Sequence, residues 1–249
     1  MKKDAFSKFS NYLNRDMNFI KYGESGVPLI AFPCMEAMAD GWENFGMLDT
    51  LGWFIENGKI ILWCVDTTDY ESYVESYRNY EDRANNLNNY YNWFIEEAYP
   101  MIQSSNTTKQ LPIVTGFSGG GYHCANMFFR RPGLFSGVLS ISGLFDMTAM
   151  FHGWCNDVLY MNSPVTYLAN MPKDHVYINI YNSKKIIIVA GKETWTPECL
   201  KSQHDLENIL KDKGINAEVY YWHGEYDHDW PYWKEQICYY LPQMLESMN

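Results

Sequence analysis

Two stretches of the sequence are apolar at every position, and they restrict the possible folds more than any other feature. They lie at residues 60–65 and 186–190. A strand with apolar side chains on both faces must be covered on both faces, as the inner strands of a parallel sheet are. Helices have to provide that cover. The two runs therefore predict an α/β fold.

Short β-rich runs alternate with longer helical patterns along the rest of the chain. This alternation predicts a three-layer α/β/α sandwich around a mainly parallel sheet. A glycine at position 214 marks one expected helix end, and Pro231 suits a first helical turn. Strands are predicted at 18–22, 28–32, 59–65, 111–116, 137–142, 185–190 and 217–222, and helices at 42–57, 81–103, 120–130, 198–213 and 232–248.

The chain shows no repeat and no linker, so we expect residues 1–249 to form a single domain. One part departs from the alternation. Residues of about 146–183 contain two prolines and short helix-like pieces but no clear strand. Such an insertion between strands is expected to form a lid or a pocket wall, or else to pack on the sheet edge.

The formal net charge of −11 argues against several classes of partner. It repels phosphate backbones and anionic membrane surfaces, so we expect neither nucleic acid nor membrane as a partner. The N-terminus lacks the apolar stretch of a signal peptide, and no run approaches the ~20 apolar residues of a membrane span. The six cysteines are scattered without a C-x-x-C pair, which favours free thiols and no metal site. We therefore expect a cytoplasmic protein without metal or cofactor.

The segment from Gly116 to Gly120 contains the strongest functional motif. It reads Gly-Phe-Ser-Gly-Gly, follows an apolar strand and precedes a helical pattern. G-x-S-x-G in this strand–turn–helix setting is the nucleophile elbow of α/β hydrolases. A glycine-rich turn or a phosphate loop is the alternative, but the Lys-Ser/Thr of a P-loop is missing. We therefore predict that Ser118 is a nucleophile.

A serine hydroxyl is a weak nucleophile and needs a base within hydrogen-bond distance. In α/β hydrolases the chain order is serine, acid, histidine, with the histidine after the last strand. Of the six histidines, His223 and His228 follow the last predicted strand. His228 lies on a loop that Pro231 stiffens and that is rich in aromatic rings. We therefore favour His228 as the base, with His223 as the alternative.

The acid of the triad is expected just after strand 185–190. Glu193 is close enough to the strand end to reach the imidazole. Glu198 follows Pro197 at a helix start, where an acid is usually a partner of the helix dipole. Asp146, after the preceding strand, is a further alternative. Glu193 is the preferred candidate.

Two backbone amides are expected to form the oxyanion hole. Gly119, directly after the nucleophile, supplies one. The loop after strand 28–32 supplies the other, and the candidates there are Cys34 and Met35. A plain strand-to-helix turn is the alternative reading of that loop.

At this point the sequence resembles the putative esterase family of α/β hydrolases, which includes S-formylglutathione hydrolase and mycolyltransferases. The resemblance implies that the family's serine is Ser118 and its histidine is His228. The family's acid is the fourth residue of a Gly-x-x-Asp, and Thr194 occupies that place here, so the adjacent Glu193 is its substitute. The matching stretches are 43–47, 64–66, 116–120, 142–146, 162–165 and 228–233.

Together these features predict a serine esterase that hydrolyses a small-molecule ester through an acyl-enzyme on Ser118. An acyltransferase or thioesterase on the same triad is one alternative, and a non-catalytic binding protein of the same fold is another. The rings of Trp154, Tyr160 and Tyr167 are candidates for lining an acyl or sugar pocket, with simple packing as the other reading. The sequence identifies neither the substrate nor the oligomeric state.

Overall fold

A mixed eight-stranded sheet forms the centre of the computed structural model, which describes residues 1–75, 77–106 and 108–247. The strand order is β1-β2-β4-β3-β5-β6-β7-β8. Strands β1 and β2 pair antiparallel with each other, and β2 pairs antiparallel with β4. All other neighbours are parallel. The strands are β1 (Lys3–Ser10), β2 (Arg15–Tyr22), β3 (Val27–Phe32), β4 (Ile60–Val65), β5 (Ile113–Phe117), β6 (Gly137–Ile141), β7 (Lys185–Ala190) and β8 (Glu218–Tyr221).

Helices cover both faces of the sheet. Helices α1, α2 and α10 pack on one face, and α3, α4, α5, α7, α8 and α9 pack on the other. Alternate residues of the inner strands enter the two cores, as the period of two requires. The helices are α1 (Gly41–Asn44), α2 (Met47–Glu56), α3 (Tyr80–Trp93), α4 (Tyr99–Ser104), α5 (Gly119–Arg130), α6 (Asp157–Tyr160), α7 (Pro164–Asn170), α8 (Val176–Asn182), α9 (Pro197–Lys213) and α10 (Trp230–Glu246).

The observed architecture confirms the predicted α/β fold with a mainly parallel sheet. Strand β7 has the predicted bounds, and the ends of most other predicted strands differ by one or two residues. Strand β1 was not predicted. Its side chains are almost all exposed, so it lacks the apolar pattern that indicates a strand and joins the sheet at its edge through backbone pairing with β2.

The prediction of one continuous helix over 42–57 is wrong. Gly46 adopts a left-handed backbone with φ of 73°, which separates α1 from α2. The predicted helix over 81–103 is instead α3 and α4 joined by a π-helical segment, Phe94–Ala98. The predicted end of the last helix, residue 248, lies outside the described residues.

The segment between β6 and β7 contains a 3₁₀ helix, Met147–Phe151, followed by α6, α7 and α8. Its 3₁₀ helix lies close to the carboxyl edge of the sheet, where Asp146 caps it by accepting a hydrogen bond from the Thr148 amide. All six cysteines, each within the described residues, carry free thiols. Among the described residues, no helix combines the length and the apolar character needed to cross a membrane.

Candidate active site

Three polar side chains follow three parallel strands and meet at the carboxyl edge of the sheet. Ser118 comes directly after β5, Glu193 follows β7, and His228 lies on the loop after β8. In parallel sheets, loops at this edge converge and form ligand sites. The topology therefore brings together residues that are up to 110 positions apart in the sequence.

The turn that carries Ser118 is strained and tightly packed. Ser118 has φ of 55° and ψ of −120°, an unfavourable backbone for a residue with a side chain. A Cβ atom on Gly120 would lie 2.3 Å from the carbonyl oxygen of Phe32, so only glycine fits there. These constraints explain the glycine next to the turn, and they hold the Ser118 hydroxyl above the start of α5.

A continuous chain of hydrogen bonds joins the three residues. The Ser118 Oγ atom lies 2.8 Å from His228 Nε2. On the other side of the ring, His228 Nδ1 donates to the Oε2 atom of Glu193. Its geometry is that of arrangements in which a histidine can accept a serine proton while a carboxylate orients the ring.

Glu193 is fully buried and well supplied with donors. Its Oε1 atom accepts hydrogen bonds from the Ser142 hydroxyl at 2.6 Å and from the Gly191 amide at 3.0 Å. Burial by itself would raise the pKa of Glu193, but the bonds from His228, Ser142 and Gly191 outweigh it and hold the pKa below its ordinary value. The carboxyl is therefore ionised at neutral pH and acts as a hydrogen-bond acceptor.

Two further contacts fix the orientation of His228. The Asp227 Oδ1 atom accepts hydrogen bonds from the amides of His228 and Thr194, at 2.8 and 2.6 Å, and so ties the histidine loop to the Glu193 loop. The ring of Trp233 packs edge-on against the imidazole, with centroids 5.0 Å apart. The indole nitrogen of Trp233 also donates to Ser142, at 3.1 Å. The aromatic residues after His228 therefore brace its ring.

The alternative candidates do not reach the chain of hydrogen bonds. His223 is exposed and makes no hydrogen bond with Ser118 or Glu193. Glu198 is exposed in the first turn of α9, and Asp146 caps the 3₁₀ helix instead of contacting His228. Thr194, at the position of the family's aspartate, uses its amide to bind Asp227. Among these groups, the structure places only Glu193 against the imidazole.

The backbone nitrogen of Met35 lies close to Gly119, the residue directly after Ser118. The Met35 nitrogen lies 2.9 Å from the point that a Cβ atom on Gly119 would occupy. Within the described part of the chain, neither amide donates a hydrogen bond. Of the two loop candidates, Met35 lines the cavity next to Ser118 and Cys34 does not. Burial raises the pKa of the Cys34 thiol well above its usual range, so the thiol stays neutral.

A cavity of about 440 Å³ opens in front of Ser118. Part of its wall comes from the segment after β6, and the wall as a whole is mostly apolar. None of the three candidate pocket rings, Trp154, Tyr160 and Tyr167, lines this cavity. Trp154 packs on Tyr80 and Phe151, while the two tyrosines line a different cavity. The residues of the wall include Met35, Tyr73, Tyr122, Leu144, Met147 and Met150.

The sequence reasoning missed several residues of this site. Ser142, Thr196 and Asp227 all bind Glu193, His228 or their loops, and none was assigned a role. Ser142 was the easiest to find, because it is the first residue after β6 and so lies at the same edge as Ser118. Tyr73 was not identifiable in this way, since the turn that carries it has no motif.

Comparisons with known proteins identify the family and the fold. The family model described as "Putative esterase" matches residues 10–244. No match was found among the curated proteins.

Solved structures share the fold over the whole chain at low sequence identity. A ferulic acid esterase has a TM-score of 0.76 and 17% identity, with 99% of this chain and 98% of that chain covered. The S-formylglutathione hydrolase of Agrobacterium tumefaciens has a TM-score of 0.75 and 14% identity, with coverage of 99% and 95%. MPT51 (FbpC1) of Mycobacterium tuberculosis has a TM-score of 0.75 and 12% identity, with both chains fully covered. The chain therefore belongs to the putative esterase family and is a carboxylic ester hydrolase with the α/β-hydrolase fold.

Proposed function

We propose that the chain is a serine esterase that works through an acyl-enzyme on Ser118, with His228 as the base and Glu193 as the orienting acid. The observation that carries this proposal is the unbroken chain of hydrogen bonds from Ser118 through His228 to Glu193. It occurs at a strained elbow, beside two amides that are free to donate.

In the acylation half of the reaction, the Ser118 oxygen attacks the ester carbonyl while its proton passes to His228 Nε2. The carbonyl oxygen becomes an oxyanion, which the Gly119 and Met35 amides stabilise. His228 then returns the proton to the departing alcohol, and the acyl group remains on Ser118. In the second half, water loses a proton to the same nitrogen and attacks the acyl-enzyme, which releases the acid and restores the serine.

Glu193 supports both halves without exchanging a proton. Its carboxylate accepts the Nδ1 hydrogen of His228, so Nε2 carries the lone pair that the Ser118 proton needs. Its negative charge also stabilises the imidazolium that forms in each half. The Ser142 and Gly191 donors keep Glu193 ionised and fixed in place.

The size and lining of the cavity support a small-molecule ester as the substrate. A volume of about 440 Å³ lies in the usual range for small-ligand sites. Its apolar wall of methionine, leucine and tyrosine side chains suits an apolar acyl group, and methionine adapts easily to different shapes. The net charge of −11 disfavours polyanionic substrates.

Labelling with a fluorophosphonate probe, followed by peptide mapping, tests the proposal. We expect the adduct on Ser118 of the folded protein, and we expect it to disappear in Ser118→Ala and to form far more slowly in His228→Ala. His223→Ala is the matched control, because it removes an exposed histidine from the same loop and should label as the parent does. Labelling of His228→Ala at the parental rate, or the absence of an adduct on Ser118, would contradict the proposal.

A further inference from the structure

Tyr73 lies on a short π-helical turn, Tyr70–Val74, between β4 and α3. π-helical turns are rare in proteins, and many of those that occur lie at functional sites. The tyrosine is 4% exposed, and its ring lies against those of Tyr122 and His123. Among the described residues, its hydroxyl has no hydrogen-bond partner. A buried hydroxyl without a partner costs free energy, so its position calls for a physical explanation.

The hydroxyl lies close to Gly119, as the Met35 nitrogen does. The point that a Cβ atom on Gly119 would occupy lies 2.7 Å from Tyr73 Oη and 2.9 Å from the Met35 nitrogen. Tyr73, Met35 and Gly119 all line the cavity in front of Ser118. Tyr73 Oη and the Met35 nitrogen thus both lie close to Gly119, and the missing side chain of Gly119 leaves that place open.

The hydroxyl carries its proton under all working conditions. Burial raises the pKa of Tyr73 well above its ordinary value, and the charge of Asp69 and the closeness of its carboxylate as a hydrogen-bond acceptor add to the rise. The group is therefore a neutral donor with one hydrogen to give. Asp69 is buried as well, and its Oδ1 atom is 2.6 Å from His123 Nε2. Its Oδ2 atom has no partner within the described residues, so it is the competing acceptor for the Tyr73 hydrogen.

We propose that the Tyr73 hydroxyl is a third donor of the oxyanion hole and binds the charge that develops on the ester carbonyl oxygen, beside the amides of Gly119 and Met35. This inference rests on the proposed acyl-enzyme mechanism. A donor left unpaired in the resting enzyme and satisfied in the transition state contributes to rate instead of ground-state binding. A contact with Asp69 would instead make Tyr73 a structural residue.

Tyr73→Phe removes the hydroxyl and preserves the ring. With a p-nitrophenyl ester, we expect kcat to fall by about 10- to 100-fold with little change in KM, because two amide donors remain. The matched control is Tyr181→Phe, which removes an equally buried hydroxyl that donates to the Phe129 carbonyl at the other end of α5. We expect its kcat to stay at the parental value. A parental kcat in Tyr73→Phe would overturn the proposal.

A second measurement separates catalysis from folding. Loss of an unpaired hydroxyl should leave the thermal midpoint of Tyr73→Phe unchanged or raise it, whereas loss of a bond to Asp69 should lower it. A variant that is destabilised or unfolded would therefore also overturn the proposal. A trifluoromethyl ketone, which forms a hemiketal oxyanion on serine, should bind Tyr73→Phe more weakly by the same factor as kcat falls.

Ser118→Ala distinguishes the two levels of the argument. If Ser118→Ala is inactive and Tyr73→Phe is unchanged, the acyl-enzyme mechanism stands and the third donor is wrong. If Ser118→Ala keeps full activity, the mechanism itself fails and the role of Tyr73 fails with it.

Discussion

Replacing Glu193 with glutamine tests how the acid controls the base. The carboxylate accepts four hydrogen bonds, two on each oxygen, from His228, Thr196, Ser142 and the Gly191 amide. A glutamine in the same place keeps one acceptor oxygen for Ser142 and Gly191. Its NH₂ group then faces His228 Nδ1, and a donor opposite a donor is unfavourable. The imidazole should respond by moving its proton to Nε2, which leaves no lone pair for the Ser118 proton.

The expected loss follows from that tautomer change. In the serine protease triad, the corresponding exchange of acid for amide lowers kcat by about 10⁴. Glu193 is likewise buried and held by hydrogen bonds, so we expect kcat to fall by a factor of about 10³ to 10⁴. At about 1.36 kcal/mol per decade, this corresponds to about 4–5.5 kcal/mol of lost transition-state stabilisation. KM should change little, because Glu193 does not line the cavity.

The assay is steady-state hydrolysis of a p-nitrophenyl ester by Glu193→Gln, with Glu198→Gln as the comparison. Glu198 is a nearby carboxylate on the same segment that lines the cavity, so its replacement could alter KM, but it is exposed and makes no hydrogen bond to His228. It should retain most of the parental kcat. A kcat of Glu193→Gln within tenfold of the parental kcat, or a greater loss of kcat in Glu198→Gln than in Glu193→Gln, would refute the reasoning.

The pH dependence of stability gives the same residue a second test. The folded-state pKa of Glu193 lies below its ordinary value, so its ionised form stabilises the fold. That contribution is complete above the ordinary glutamate pKa of about 4.3 and is lost as the pH falls through the lower folded value. The difference in unfolding free energy between the parent and Glu193→Gln should therefore shrink as the solution is acidified. A difference that grows on acidification would contradict the assignment.

Two more substitutions test the packing beneath the site. Gly120→Ala places a methyl group 2.3 Å from a backbone oxygen at the end of β3, so urea unfolding should show a free energy of unfolding lower by about 1–3 kcal/mol or more. Gly133→Ala, with open space around the new methyl group, should show little change. Equal stability of the two variants would contradict this account of the packing. Asp69→Asn disturbs the buried hydrogen bond between Asp69 and His123 and should cost about 1–3 kcal/mol, while Asp212→Asn, in an exposed ion pair, should have little effect. An Asp69→Asn protein with the parental unfolding midpoint would show that this hydrogen bond does not stabilise the fold.

The sequence was sufficient for the elements whose pattern is local. Strands β4 and β7 are apolar on both faces, and G-x-S-x-G has a single strained backbone solution, so both were predictable without neighbours. Strand β1 was not, because an exposed edge strand has the polarity of a loop and depends on its partner β2. The break between α1 and α2 at Gly46 was not predictable either, since a glycine within a helical pattern can continue the helix or end it.

The candidate site shows where local pattern stops being informative. Chain order and fold were enough to select Ser118 and His228, and proximity to β7 was enough to prefer Glu193. The choice between Cys34 and Met35 depends on how one loop lies over the start of α5, and no spacing encodes that. The position of Tyr73 depends on a π-helical turn and on a contact with a residue 46 positions away, which only the tertiary structure defines.

The central claim is that Ser118 carries the acyl group, and acid quenching of a reacting sample tests it most directly. Mixing the enzyme with a slowly deacylating p-nitrophenyl ester and quenching within the first turnover should give a protein heavier by one acyl group. Peptide mapping should place that group on Ser118, and a burst of p-nitrophenol of one equivalent should accompany it. Steady turnover without any acylated protein, or an acyl group on another residue, would contradict the account.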